Sequence, residues 1–320
     1  MEVKENPKTK LVGVDNPKVE TKRILIFLAI TFGFGWFVEI GMIMPMYRSQ
    51  DVNTVKEATE LISSMMFAPA IAALIARLCT KEGLLKSGLQ FNFSQHKFCF
   101  LFSWFGTSVL TFLGALLYFL IYKDNYDPNM TDMVNSMVEA GSEMTAIDIV
   151  ATFKTDLLMK LFTAPLLDII NSFGEEWGWR AYLLPKLYRK LGTVPAVLIS
   201  GFVSGLWYAP LIVLGYYYGE GYAGYPFTGI LAMCIFGMVT GCIYSYLCLR
   251  TGSIFTAVFA HSAVNVMMSQ AALFTKDGGN FFVGPAPTGI IAGIPFIIAA
   301  VIFVWHLIKY PVVSHTEEKQ

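Results

Sequence analysis

Charge is what this sequence has least of. Its 320 residues include 23 Lys and Arg and 23 Asp and Glu, 14% of the chain, where a soluble domain carries about 25%. A water-soluble globule of this length would need more charge to cover its surface. The formal net charge is zero, so the basic excess of a nucleic-acid binder is absent and no nucleic-acid partner is expected. The five cysteines are odd in number and follow no metal-ligand spacing, which leaves out a small disulfide scaffold. There is no repeat at a fixed period, no low-complexity tract and no linker that would set off a soluble domain. What is present is apolar: 55% of residues are hydrophobic and the mean hydropathy is +0.56. That balance describes a polytopic membrane protein.

A helix needs about 20 mostly apolar residues to cross a bilayer. Eight stretches qualify: Ile24–Met44, Leu61–Cys79, Phe98–Tyr122, Asp156–Gly174, Pro195–Gly215, Phe227–Leu249, Ser253–Phe274 and Pro285–Ile308. The first has no small-residue cleavage site and is too long for a signal-peptide core, so it reads as a retained helix. The expected fold class is all-α, a polytopic membrane helix bundle of about eight transmembrane helices. Residues 1–23 read as a cytoplasmic polar tail, 24–308 as a single membrane domain and 309–320 as a cytoplasmic tail.

Eight spans put both termini on one side. That side collects 17 basic residues, among them Arg77, Lys86, Arg180, Lys186, Arg189, Lys190 and Arg250. The other side has Arg48, Lys56, Lys123, Lys154 and Lys276. The positive-inside rule makes the basic side cytoplasmic. The long acidic loop from Lys123 to Ala151 then lies outside. The short tails fit a bacterial cell membrane.

Ionisable groups inside spans are costly and mark function by default. Glu39 is a lone acid near the outer end of the first span and reads as snorkelling or helix-bound. Asp156 and Lys160, four apart, read as an edge ion pair. His306 falls at a cytoplasmic edge, while His96 and His315 lie in polar segments.

Two patterns stand apart. The first is Asn171-Ser-Phe-Gly-Glu175-Glu176-Trp-Gly-Trp-Arg180. Adjacent carboxylates at the end of a membrane helix repel unless compensated. Arg180, four residues after Glu176, shares its helical face and can pair with it. Glu175 is left facing elsewhere, and partial burial there suits a carboxylate to general-base work. Asp168 and Asn171 fall on the Glu175 face of a continuous helix. The plain alternative is a charged helix end that only terminates the span. The second pattern is His261-Ser-Ala-Val-Asn265, one turn apart inside an otherwise uncharged span. The two side chains could offer donors, or a nitrogen and an oxygen ligand, to one point. A helix–helix hydrogen bond is the plain alternative.

These motifs resemble the CAAX protease and bacteriocin-processing family of intramembrane proteases, also called the Abi family or type II CAAX prenyl endopeptidases. The resemblance covers about residues 162–270. Glu175, Glu176 and Arg180 match its Glu-Glu-x-x-x-Arg signature, and His261 and Asn265 match its closing His-x-x-x-Asn motif. It implies a peptide hydrolase: Glu175 as general base on a water, Glu176 held by Arg180, and His261 and Asn265 stabilising an oxyanion or holding a metal. A divalent ion such as zinc is the implied cofactor, with Glu175, His261 and Asn265 as candidate ligands. The implied partner is a membrane peptide or protein substrate, prenylated or not, in the lipid bilayer; no oligomeric state is implied.

The middle motif departs from the family. A histidine is usual between the Trp and Pro anchors, and here Trp207-Tyr208-Ala209-Pro210 puts a phenol in its place. A phenol, with a reference pKa of about 10, is no base near neutrality, but it can donate a hydrogen bond to a water or an oxyanion. Losing the imidazole also removes a zinc ligand, and the remaining set is poor for tight zinc binding. Two other readings stay open: a catalytically impaired relative that binds membrane peptides or serves as an immunity or scaffold protein, and a transporter suggested by the interrupted helix around Gly201–Pro210.

Overall fold

The computed structural model describes residues 17–83, 88–276 and 279–312. The tail up to residue 16, Lys86, and the C-terminal tail from residue 313 with His315 lie outside the described residues. Among the described residues there is no strand, only isolated bridges joining Leu89 to Ser253 and Tyr126 to Thr275. The protein is a polytopic helical bundle.

Helix α1 (Pro17–Val38) continues through a π-helical turn, Glu39–Ile43, into Met44–Tyr47. It is followed by α2 (Val52–Met65) and α3 (Ala68–Cys79). Asp51 caps α2 by accepting the backbone N–H of Thr54 at 2.8 Å. Next come α4 (Thr107–Ile121), entered through Lys97–Gly106, and the short α5 (Thr131–Glu139). The site-bearing half runs α6 (Ala146–Leu167), α7 (Ile169–Gly178), a π-helical turn Trp179–Leu183, α8 (Leu184–Leu191), α9 (Thr193–Trp207) and α10 (Ala209–Val213). Then follow α11 (Phe227–Thr251), α12 (Phe255–Met268) and α13 (Ile294–Lys309).

Among the described residues four helices are long and apolar enough to cross a bilayer, and up to six spans result if the bent pairs α2–α3 (41°) and α6–α8 (44°) each count as one. Helices α9 and α13 are apolar but shorter. All eight apolar stretches therefore contain helix, but not all as full-length spans. The eighth is made of turns up to Gly293, because Pro285, Pro287, Gly289 and Gly293 interrupt any helix there. The fifth stops at Trp207 and restarts at Ala209, with Pro210 at the start of the new helix, where its missing N–H costs nothing.

Three further expectations are corrected. The first helix begins at Pro17, so residues 17–23 are not tail: Glu20 and Arg23 are buried. Arg23 meets Glu20 at 3.0 Å, Arg189 meets Glu20 at 2.9 Å and Lys186 meets Glu82 at 2.7 Å, tying α1 and the end of α3 to α8. The stretch from Lys123 to Ala151 is not all loop, since it holds α5 and the first turns of α6. The third correction is at Asp168, where the fourth stretch breaks.

Pro165 lies inside α6 and has no N–H to bond the preceding turn. Three residues on, the ladder opens. The Ser262 hydroxyl of α12 donates to Ala164 O at 2.9 Å and accepts the Asp168 N–H at 3.1 Å. A hydroxyl thus stands in the gap between two backbone groups that an unbroken helix would join, a recognised cause of kinks. Asp168 therefore does not share a continuous helical face with Glu175. Helices α9 and α11 pack through glycine: a Cβ on Gly201 would lie 2.6 Å from Gly237 O, and one on Gly205 2.5 Å from Met233 O. Small residues permit this close approach of membrane helices, and it brings the end of α9, with Tyr208, against α11.

Candidate active site

All six residues singled out in the sequence, Glu175, Glu176, Arg180, Tyr208, His261 and Asn265, line one cavity of about 50 Å³. That is room for a few waters, each needing roughly 10–15 Å³ on this measure. Helix α7 and the π-helical turn after it supply the carboxylates and Arg180. The α9–α10 junction supplies Tyr208, and α12 supplies His261 and Asn265.

The two glutamates have different surroundings. Glu176 is wholly buried. Arg180 Nη1 donates to its Oε1 at 3.3 Å, and Arg180 Nε lies 3.2 Å from its Oε2. His261 Nδ1–H donates to the same Oε1 at 2.8 Å. Glu176 is thus the anchor of a fork made by a guanidinium and an imidazole, and the bond at Nδ1 fixes the ring and leaves Nε2 as its other functional nitrogen. Tyr244 packs the group from α11: His261 stacks on its ring at 5.5 Å and the Arg180 guanidinium sits 5.3 Å from its centre. Glu175 bonds neither Arg180 nor His261. Among the described residues the only side chain hydrogen-bonded to it is Tyr208, whose hydroxyl donates to Oε1.

Asn265 is oriented from behind. Its Nδ2 donates to Asp168 Oδ2 at 2.9 Å, and Asn171 and Ser172 donate to the same carboxylate at 2.8 and 3.0 Å. Asp168 and Asn171 are absent from the cavity wall; their part is to hold Asn265. This arrangement depends on the break at residue 168, which turns the Asp168 carboxylate toward α12.

The stretch from α6 to α12 thus gathers a buried Glu-Glu-Arg group, a phenol and a His-Asn pair around one small space, and its sequence can be compared with known proteins. Residues 157–267 match the family profile described as type II CAAX prenyl endopeptidase Rce1-like. The chain carries an Rce1-like segment. A relative, lysostaphin resistance protein A of Staphylococcus haemolyticus, is 30% identical over 150 residues, which is 46% of this chain and 38% of that protein. The chain therefore spans well under half the length of the relative it matches.

Within the Rce1-like segment the donors do not fit a zinc ion. A catalytic zinc site calls for three protein ligands drawn from Cys, His and carboxylates, with water in the fourth position. Among the described residues no three His, Cys, Asp or Glu side chains are grouped to hold an ion. His261 commits Nδ1 to Glu176, Asn265 is fastened to Asp168, and Tyr208 occupies the usual histidine position.

Arg180 is buried and meets Glu176 through both Nη1 and Nε. Arg180→Ala should lower stability by about 3–5 kcal/mol, the usual cost of breaking a buried pair. Arg180→Lys should recover only part, because an ammonium cannot make the two-pronged contact. Thermal unfolding and folded yield in detergent measure this, and an unchanged Arg180→Ala protein would remove the role.

Outside the segment the expected Asp156–Lys160 pair is present at 2.6 Å, and Lys160 also reaches Gln270 at 3.1 Å. His306 is engaged by Arg250 at 3.0 Å and by Tyr246 at 3.3 Å. Glu39 is corrected: it neither snorkels nor bonds its helix, being 1% exposed with both carboxyl oxygens unpartnered. Sequence reasoning passed over Ser262 and Tyr217. Pro165 was the available signal for the break that Ser262 fills, but nothing in sequence pairs a hydroxyl with a gap in another helix.

Proposed function

We propose that the protein is an intramembrane endopeptidase that hydrolyses a peptide bond of a membrane-associated substrate with a water activated by Glu175. The observation supporting this most is the unequal treatment of the two glutamates. Glu176 is paired with Arg180 and hydrogen-bonded by His261, whereas Glu175 faces the cavity with only a phenol for a partner. One carboxylate is then structural and the other free to accept a proton.

In this reading Glu175 takes a proton from water as the oxygen attacks the scissile carbonyl. The tetrahedral oxyanion is met by the Tyr208 hydroxyl and, with the His261 ring protonated on both nitrogens, by its Nε2–H, with Asn265 alongside. The C–N bond breaks as the proton on Glu175 passes to the leaving nitrogen. The residues present do not compose a metal site, so no step is routed through an ion. The deciding experiment is cleavage of membrane peptides in reconstituted vesicles by wild type and by Glu175→Gln.

A second reading, a non-proteolytic peptide-binding or immunity protein, is favoured by Tyr208 standing at the histidine position and by the resistance role in the relative's name. The membrane peptides of the first reading remain its ligands.

Both termini are proposed to be cytoplasmic in a bacterial cell membrane, on the 17-to-5 distribution of basic residues. A cysteine placed near Asp132 should then be labelled by an impermeant reagent from outside, and one near Lys10 should be spared. The reverse pattern would overturn the orientation.

A further inference from the structure

Helix α11 brings to the cavity a group that neither sequence signature contains. Gly237, Thr240 and Tyr244 follow at helical spacing on its cavity face. Tyr244 is 3% exposed and is held through its ring. The His261 imidazole stacks on it at 5.5 Å with the planes 20° apart, and the Arg180 guanidinium lies 5.3 Å from its centre. Both partners belong to the group around Glu176.

The hydroxyls on the cavity wall are those of Ser204, Tyr208, Tyr217, Thr240, Tyr244 and Thr288. A hydroxyl has one proton to donate. Ser204 spends its proton on Gly201 O and Thr240 on Phe236 O, each at 2.9 Å, and Tyr208 spends its own on Glu175. Tyr217 and Thr288 stand in turns. The Tyr244 hydroxyl has no hydrogen-bond partner among the described residues, and unlike those of Tyr182 and Tyr222 it is not sealed in packing. It is therefore an uncommitted donor open to the cavity, carried by a helix and locked by two ring contacts. Donors to an oxyanion act best when they are in place before the charge develops, and helices hold such groups more exactly than loops.

We propose that Tyr244 is a further catalytic residue, whose hydroxyl donates a hydrogen bond to the scissile carbonyl oxygen and keeps it as that oxygen becomes the oxyanion. This rests on the endopeptidase reading. The phenol retains its proton, and no covalent bond to it forms or breaks. Tyr208 cannot serve the carbonyl while its proton is on Glu175. It can turn to the oxyanion once Glu175 has taken a proton from water and become the weaker acceptor. Tyr244 is free to act from the start.

The test compares wild type, Tyr244→Phe and Tyr244→Leu in phosphatidylcholine vesicles at equal folded concentration. Phenylalanine keeps the ring against His261 and Arg180 and removes only the hydroxyl. Tyr244→Phe should keep the thermal stability of wild type and nearly its KM, and lose about 10- to 100-fold in kcat, the worth of one hydrogen bond to a charged group. Tyr244→Leu removes the ring as well and should add a loss of thermal stability. A second readout needs no cleavage. It is the affinity, by tryptophan fluorescence, for a hydrophobic peptide with a phosphinic group in place of one amide, whose tetrahedral anion imitates the oxyanion. Tyr244→Phe should bind this peptide more weakly than wild type by the same factor. An inert wild type whose affinity for the phosphinic peptide falls in Tyr244→Phe supports the donor and defeats the endopeptidase reading. Equal kcat, or equal phosphinic-peptide affinity, in wild type and Tyr244→Phe overturns the proposal and leaves Tyr244 a packing residue.

Discussion

Glu175→Gln should reduce cleavage of a membrane peptide by about 10²–10⁴-fold, the range for removing a general base. The amide keeps the shape of the side chain and can still contact the Tyr208 hydroxyl, so the loss should fall on kcat and leave folding nearly intact. Glu176→Gln should behave differently. It strips the partner from Arg180 and His261, which approach the carboxylate at 3.2 and 2.8 Å. That leaves a buried guanidinium uncompensated, so folded yield should drop before any kinetic effect can be read. The pair of substitutions separates the two carboxylates by role. Cleavage at the wild-type rate by Glu175→Gln, compared at equal folded concentration, would sink the assignment.

Tyr208→Phe carries the next largest effect. If the phenol donates to the oxyanion, its removal should cost about 10²–10³-fold in kcat, the usual worth of one oxyanion donor. The ring packs on Trp207 at 5.1 Å and on Tyr217 at 5.7 Å, so phenylalanine fills the same space and stability should change little. Tyr208→His is the complementary experiment. It restores the imidazole usual in the resembling family, and activity should be preserved or rise. A wild type that cleaves nothing, joined to a cellular phenotype that survives Glu175→Ala, would instead establish the non-proteolytic reading. Tyr208→His would then be expected to create activity in an inert protein.

The two signatures were legible because their spacing is local. Glu176 and Arg180 meet through one helical turn, a contact that holds wherever the helix goes. The Trp207–Pro210 frame identified Tyr208 for the same reason, since its neighbours in sequence mark the position. The pairing of His261 with Glu176 was not legible, because 85 residues separate them and only the packing of α12 against α7 brings them together.

Composition by itself determined that this is a helical membrane protein, since charge this sparse cannot cover a soluble surface and lipid leaves backbone groups only internal partners. The length of the apolar runs also located the candidate spans, but not where their helices begin, end or bend. Tertiary structure alone decided the surroundings of Asp168, Ser262 and Glu39. Asp168 reads on one face with Glu175 only while the helix is continuous, and the break that turns it to Asn265 is completed by a hydroxyl from another helix. Glu39 reads as a lone acid near a helix end because sequence records no depth. Its burial follows from the fastening of α1 to Trp207, a contact across 171 residues. Local spacing sets which side chains share a turn, whereas the low-dielectric surroundings that give a carboxyl its chemistry are built by segments remote in the chain.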